Sequence, residues 1–358
     1  LADVFERVAK QTIWDKRIHN RRRRKLPLRV FNIRRRCVEC EVIPTARVYD
    51  VLRTRHASRI SIASPGDFVL RLSADDAPSR TLFPYCIDFL RSRVLYIADL
   101  DAEAVQGAPF YYLYLRRHAR RVLSVPIAAG GEGDDPVFLF SPGRCGSTLL
   151  SRVLFEAGIA SVSEPDFYTQ VASWFWSRRF NPLAARYRTA MWAMSRDLVA
   201  AVGAAPVVKL RAECARAPEL FVRSPAAPTL VMFRRFETWS RSTAQAFGAS
   251  PAKAVQKYLT ALRCFAWLRR HSCCLLVRYE DWLTDPAGAA AGLGNFLGRP
   301  IDPEAVRRAV GSHSQAGTPL EHRRRSDWEA KWQGALQLWS TPRLVTARDR
   351  LDLPDVWD

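Results

Sequence analysis

Between Ser141 and Thr148 the chain reads Ser-Pro-Gly-Arg-Cys-Gly-Ser-Thr, preceded by Val137-Phe138-Leu139-Phe140 and followed by Leu149-Leu150-Ser151-Arg152-Val153-Leu154. That order is a buried strand, a tight glycine turn and an amphipathic helix. Such a turn aims backbone N–H groups and the positive end of a helix dipole at one spot, where an anion sits. Gly143 and Gly146 permit close backbone approach, Arg144 adds a fixed positive charge, and Ser147 and Thr148 offer hydroxyl donors. The segment is therefore read as a phosphate site. It departs from the nucleoside-triphosphatase loop, which needs a longer glycine spacing and a Lys directly before the Ser/Thr. Here two residues separate the glycines, and Gly146 occupies the Lys position.

Further along, other apolar runs end in groups able to do chemistry. Glu164 stands in Ser163-Glu164-Pro165, Lys209 and Arg211 end Val207-Val208-Lys209-Leu210-Arg211, and Arg234 follows Thr229–Phe233 with Ser242 eight residues on. In an open parallel sheet, ligands bind beyond the carboxyl ends of the strands. Those ends gather Arg144, Lys209, Arg211 and Arg234 around one carboxylate, Glu164. A carboxylate can take a proton from an attacking group, and fixed cations stabilise negative charge that grows on a leaving group.

The elements that must position these residues are visible as short apolar runs alternating with helical stretches, the pattern of βαβ units and a parallel sheet. The expected strands are Pro136–Phe140, Ile159–Ser163, Val207–Leu210, Thr229–Phe233 and Cys273–Tyr279. Ser250-Pro251, Asp285-Pro286 and Asp302-Pro303 each set a capping side chain before a helix-starting Pro, and Ser326 with Glu329 reads as a capping box. Ahead of this, residues 1–129 read as an α+β extension with short strands such as those within Arg59 to Leu72 and one helix over Ala102 to Arg121. Gly130-Gly131-Glu132-Gly133-Asp134-Asp135 reads as the linker, which gives a second domain over 136–358. The fold class expected is α/β, a parallel sheet flanked by helices, with the N-terminal α+β extension.

Composition sets the outer bounds. The chain has 358 residues and 48% hydrophobic residues, enough for a real core. Its formal charge is +20, from 55 basic against 35 acidic residues, and seven of the basic ones are Lys. Such a surface attracts polyanions. The Arg21-Arg22-Arg23-Arg24-Lys25 run is read as a solvated face in preference to a nucleic-acid contact. The eight Cys residues are scattered, so reduced thiols and a cytoplasmic location are expected for the chain as it runs from Leu1. Cys37-Val-Glu-Cys40 has the spacing of half a zinc site with no second half, and no metal is expected. No apolar run approaches a membrane span.

The loop resembles the 5′-phosphosulfate loop of sulfotransferases that use 3′-phosphoadenosine-5′-phosphosulfate (PAPS). It has the Pro-Arg-Ser-Gly-Thr style of tyrosylprotein and many bacterial members, with Cys145 for the usual Ser. Arg234 and Ser242 resemble the pair that clamps the 3′-phosphate in that family, with Arg235-Phe236 in place of the usual Asp-Pro. Val277-Arg278-Tyr279-Glu280-Asp281-Trp282, with Asn295-Phe296-Leu297-Gly298 after it, is similar to the family's Tyr-Glu-Asp-Leu strand end and following helix, and is read as scaffold. Arg323-Arg324-Arg325-Ser326-Asp327-Trp328 is similar to the basic segment that closes over the nucleotide. The matches run from Val137 to about Gly298, with that looser tail.

The resemblance implies a P-loop type fold and transfer of a sulfuryl group from PAPS to an acceptor hydroxyl or amine. Glu164 would be the general base, and Arg144 and Lys209 would stabilise the leaving group. The nucleotide would be held by Ser141, Gly143, Arg144, Cys145, Gly146, Ser147, Thr148, Arg234, Ser242, Arg324 and Arg325, without a metal. Two other classes stay open on the residues alone. A P-loop kinase or NTPase would show magnesium-dependent nucleotide binding, and a basic nucleic-acid-binding protein would show steep salt dependence. No residue names the acceptor. Phe167, Tyr168, Trp174, Phe175 and Trp176, which follow Glu164, are expected in the core in preference to an acceptor pocket.

Overall fold

The structure, a computed structural model, describes residues 46–55, 57, 61–74, 81–127, 135–178, 183–311 and 326–353. Expectations placed on Arg21 to Lys25, Cys37 and Cys40, Gly130 to Asp134 and Arg323 to Arg325 lie outside the described residues. The described residues belong to one compact unit, Ala46–Asp358.

That unit holds two five-stranded sheets. The first is antiparallel: β1 (Arg47–Thr54), β2 (Phe68–Leu72), β3 (Leu82–Asp88), β4 (Arg93–Ala98) and β5 (Arg121–Pro126), in the order β2-β1-β5-β4-β3. Two helices, α1 (Ala102–Gly107) and α2 (Tyr111–His118), join β4 to β5. The sequence suggests a single helix there, and the structure corrects this. Pro109 has no N–H to donate and pushes Ala108 out of the helical region, to φ −70° and ψ 129°. The break redirects the chain so that Phe110 and Tyr112 reach the site described below.

The second sheet is parallel and uses the five strands expected from sequence, with small changes at their ends. They are β6 (Val137–Phe140), β7 (Ser161–Ser163), β8 (Val207–Lys209), β9 (Pro228–Phe233) and β10 (Cys273–Arg278), in the order β10-β9-β6-β8-β7. β6 is central: the chain leaves it for the β7 edge, returns through β8, and crosses to β9 on the other side. The carboxyl end of β6 is thus the point where the winding direction reverses, the place where open α/β sheets bind ligands.

Helices clothe this sheet: α3 (Ser147–Glu156), α4 (Asp166–Arg178), α5 (Leu183–Val202), α6 (Phe236–Phe247), α7 (Pro251–His271), α8 (Asp281–Thr284), α9 (Pro286–Leu297), α10 (Pro303–Gly311), α11 (Trp328–Trp339) and α12 (Pro342–Asp349). The Asp-Pro starts behave as expected, with Asp285 Oδ1 accepting from Gly288 N at 2.9 Å and Asp302 Oδ1 from Glu304 N at 2.9 Å. Ser250 precedes Pro251 without a side-chain cap bond. The capping box expected at Ser326 is absent. The chain is still turning there, so Asp327 takes the cap position of α11 and its side chain makes no cap bond.

One apolar core runs through both sheets and includes Phe83, Tyr111, Phe138, Tyr168, Leu230 and Trp239. Phe138 on central β6 meets Tyr168, Trp192 and Phe221 edge-on, an arrangement that favours aromatic pairs. Polar bonds stitch the antiparallel sheet to α4 and α5. Gln170 accepts from Ile87 N (2.8 Å) and donates to Ala63 O (2.9 Å), and Tyr96 donates to Asp197 (2.5 Å). Among the described residues no helix is long and apolar enough to cross a membrane.

Candidate active site

At the carboxyl end of β6 lies a cavity of about 510 Å³, lined by residues from both halves of the unit. Its floor is the glycine loop. Gly143, Arg144 and Gly146 all have positive φ, at 72°, 60° and 91°. Gly146 is fixed in type twice over, because a Cβ there would stand 2.3 Å from Tyr279 Cδ2 and its backbone is left-handed. As the cap position of α3, Gly146 has no side chain to satisfy the first-turn N–H groups. Trp239 Nε1 donates to Gly143 O at 2.5 Å and Gly143 N donates to Ser141 Oγ at 3.2 Å, which hold the loop's shape.

Arg144, Arg234 and Ser242 meet on one side. Arg144 Nε donates to Ser242 Oγ at 3.1 Å, a contact between positions 98 apart in sequence. Arg234 stacks over the Tyr279 ring at 4.6 Å and donates from Nε to Thr238 Oγ1 at 3.1 Å. Burial, then the neighbouring Arg234 charge, hold Arg144 below the usual guanidinium range. Two cations brought this close favour an anion between them. Arg235-Phe236 starts α6, and the Glu280 carboxylate accepts from Arg235 N at 3.0 Å, so the Tyr-Glu-Asp segment braces this turn directly.

On the other side stand Glu164, Lys209 and Arg211. Lys209 Nζ donates to Glu164 Oε1 (2.8 Å), Thr148 Oγ1 (3.1 Å) and Ser163 Oγ (3.3 Å), with its side chain 4% exposed. Arg211 Nε lies 3.6 Å from Glu164 Oε2, and its NH1 donates to Asp166 Oδ1 at 2.8 Å. Burial opposes the Arg211 charge, but Asp166 and Glu164 outweigh it and raise the pKa. Asp166 is fully buried and also accepts from Ala63 N at 2.7 Å. Burial pushes its carboxyl up to about 7 while Arg211 and Ala63 N–H pull the other way. Asp166 is not a wall of the cavity; it anchors Arg211.

Of the residues singled out from sequence, Gly143, Arg144, Gly146, Ser147, Thr148, Glu164, Lys209, Arg211, Arg234 and Ser242 line this one cavity. Ser141 and Cys145, within the loop, are buried and do not line the cavity, and Arg324 and Arg325 lie outside the described residues. Phe167 and Tyr168 are core, as expected, and Trp174 and Phe175 pack partly buried against it, whereas Trp176, also expected in the core, is 47% exposed near the end of α4.

Sequence reasoning missed several wall residues: Phe110, Tyr112, Glu213, Phe247, Lys257 and Tyr279. Phe110 lies 5.4 Å from Lys209 Nζ, and Tyr112 stacks 4.6 Å under Arg211, whose NH2 donates to the Tyr112 hydroxyl at 3.3 Å. The Pro109 break was the available signal for the first two. For Lys257 it was the rarity of Lys in this chain. Tyr279, expected as scaffold, is both scaffold for Gly146 and cavity wall.

No family model and no curated protein matches this sequence. Solved structures similar to it include a sulfotransferase domain from the curacin biosynthetic pathway, at 15% identity and a TM-score of 0.41, covering 64% of this chain and 99% of that one. Another is a sulfotransferase domain from the olefin synthase of Synechococcus PCC 7002, at 17% identity and a TM-score of 0.39, covering 65% and 98%. A mouse sulfotransferase complexed with PAP is similar at 12% identity and a TM-score of 0.33, covering 63% and 85%. At these values the chemistry of this chain rests on its own residues.

Proposed function

We propose that the protein transfers a sulfuryl group from PAPS to an acceptor hydroxyl or amine, with Glu164 as the general base. The observation that carries this reading is the division of one cavity between two kinds of chemistry. A glycine-loop helix start with Arg144, Arg234 and Ser242 suits a nucleotide bearing phosphates at both ends, and a carboxylate beside a buried lysine faces it. The cavity's volume, about 510 Å³, falls within the range usual for small-molecule sites.

In this reading the α3 N-terminus and Arg144 hold the 5′ end of the donor, and Arg234 with Ser242 holds the 3′-phosphate. The acceptor attacks sulfur as its proton passes to Glu164 Oε2, since Oε1 is already bonded by Lys209. The sulfur–oxygen bond to the 5′-phosphate breaks, and its electron pair stays on the phosphate oxygen of 3′-phosphoadenosine-5′-phosphate (PAP). Arg144 and Lys209 stabilise the charge that builds there, which lowers the transition state more than the ground state.

The test is a thermal shift without added metal. PAP should raise the midpoint more than AMP does, because the extra phosphate engages Arg234 and Ser242. Equal stabilisation by the two nucleotides would remove the 3′-phosphate assignment, and no stabilisation by PAP would remove the reading altogether.

A further inference from the structure

Lys is scarce in this chain, seven residues among 55 basic ones, yet Lys209 and Lys257 line the same cavity. Their surroundings differ. A lysine ammonium has three N–H donors and no acceptor. Lys209 directs all three at Glu164, Thr148 and Ser163. It can bond a ligand only by giving one of them up.

Lys257 projects from α7, and no hydrogen bond or ion pair reaches it among the described residues. Its Nζ lies 3.6 Å from the point where a Cβ on Gly143 would stand and 5.8 Å from the Phe247 ring centroid. Burial lowers its pKa, while Glu213, Glu164 and Cys145 pull it up and Arg211 adds to the lowering. Lys257, Glu164 and the loop residues Gly143 and Gly146 line the same cavity. Lys257 is half-buried on the cavity wall, so its ammonium faces the cavity with donors that a bound anion can take.

We propose that Lys257 is a further catalytic residue, whose ammonium contacts the sulfuryl oxygens of PAPS beside Gly143. This rests on the sulfotransferase reading and deepens it. The sulfuryl group must lie between the 5′-phosphate at the α3 N-terminus and the acceptor at Glu164, and Lys257 borders that interval. During transfer the sulfur–oxygen bond to PAP breaks as the acceptor–sulfur bond forms, the acceptor proton goes to Glu164, and Lys257 keeps its own protons throughout. Lys209, its three donors committed, keeps Glu164 aimed and acts on the leaving phosphate through its charge.

PAP and PAPS differ by the sulfuryl group alone, so the pair isolates the contact. Kd values for both are measured by calorimetry on the parent protein and on Lys257→Met, Lys257→Gln and Lys257→Arg. The expected result is that Met and Gln each weaken PAPS by about tenfold or more, the scale of hydrogen bonds to a charged group, while PAP changes less than about twofold. Arg should recover most of the loss. Slow release of inorganic sulfate from PAPS without acceptor should fall in the Met and Gln variants and return with Arg. Equal weakening of PAP and PAPS, or no weakening of either, overturns the assignment of Lys257 while the parent's binding keeps the sulfotransferase reading. A parent protein that binds neither nucleotide overturns both. The Gln variant keeps the test open should Met misfold.

Discussion

Glu164 has a φ of 62° and is followed directly by Pro165. Left-handed backbone at a non-glycine residue costs on the order of 1–3 kcal/mol and persists only where the surroundings impose it. Here Glu164 N donates to Lys209 O at 2.8 Å while the side chain is held by Lys209 Nζ at 2.8 Å, so one residue fixes both ends of the carboxylate's position. Glu164→Gln keeps the shape and loses the basicity. Its sulfuryl-transfer rate should fall by about 10²–10⁴ with PAP stabilisation nearly intact, as checked by labelled PAPS turnover and a thermal shift on one sample. A variant with more than half the parental rate would exclude Glu164 as base. Gly146→Ala should act in the opposite place. Left-handed strain of about 1–2 kcal/mol and the 2.3 Å approach to Tyr279 would displace the loop, so PAP should cease to raise the thermal midpoint even where the variant still folds.

At the scale of elements, α4 begins at the site and ties it to the antiparallel sheet. Asp166, its first residue, joins Ala63 N at 2.7 Å and Arg211 at 2.8 Å. Because burial raises its pKa to about 7, the folded protein holds a proton there that the unfolded chain releases at the ordinary carboxylate pKa. The resulting stability is complete below the unfolded value and is lost as pH rises through about 7. The thermal midpoint should therefore decline between about pH 4 and about pH 7, and Asp166→Asn should flatten that decline while lowering the midpoint overall, because an amide offers one acceptor where Arg211 and Ala63 N–H use two. A variant with the parental slope would move the pH dependence to another group.

On the scale of the whole molecule, the antiparallel sheet is part of the same folded body as the parallel one. It covers α4 and α5 through Ile87, Tyr96 and the Phe89–Tyr187 contact, and the start of α2 supplies Tyr112, with Phe110 at its cap position, to the cavity. A chain that starts at Asp135 would leave the faces carrying Gln170, Trp174 and Tyr187 in water and Asp166 without Ala63. It should fail to give a soluble, cooperatively folded product, whereas the parent should unfold in a single calorimetric transition that PAP raises as a whole. A well-folded product from Asp135 onward would show that the antiparallel sheet is dispensable for the fold.

What was legible in the sequence alone is what short-range rules govern. The strand before Ser141, the glycines of the loop, the Asp-Pro helix starts and the five parallel strands each follow from a few neighbouring residues, because turn conformation, capping and hydrophobic periodicity are local. Those rules also placed Arg144, Glu164, Lys209 and Arg234 at strand ends, where a parallel sheet converges. The bond from Arg144 to Ser242, the three acceptors that occupy Lys209 and the vacant donors of Lys257 were not legible. Neither were the aromatic walls brought by Phe110 and Tyr112 nor the burial of Asp166. Each depends on which elements pack together across long stretches of chain. A side chain's partners and its access to water are set by that packing, and no neighbouring residue encodes them.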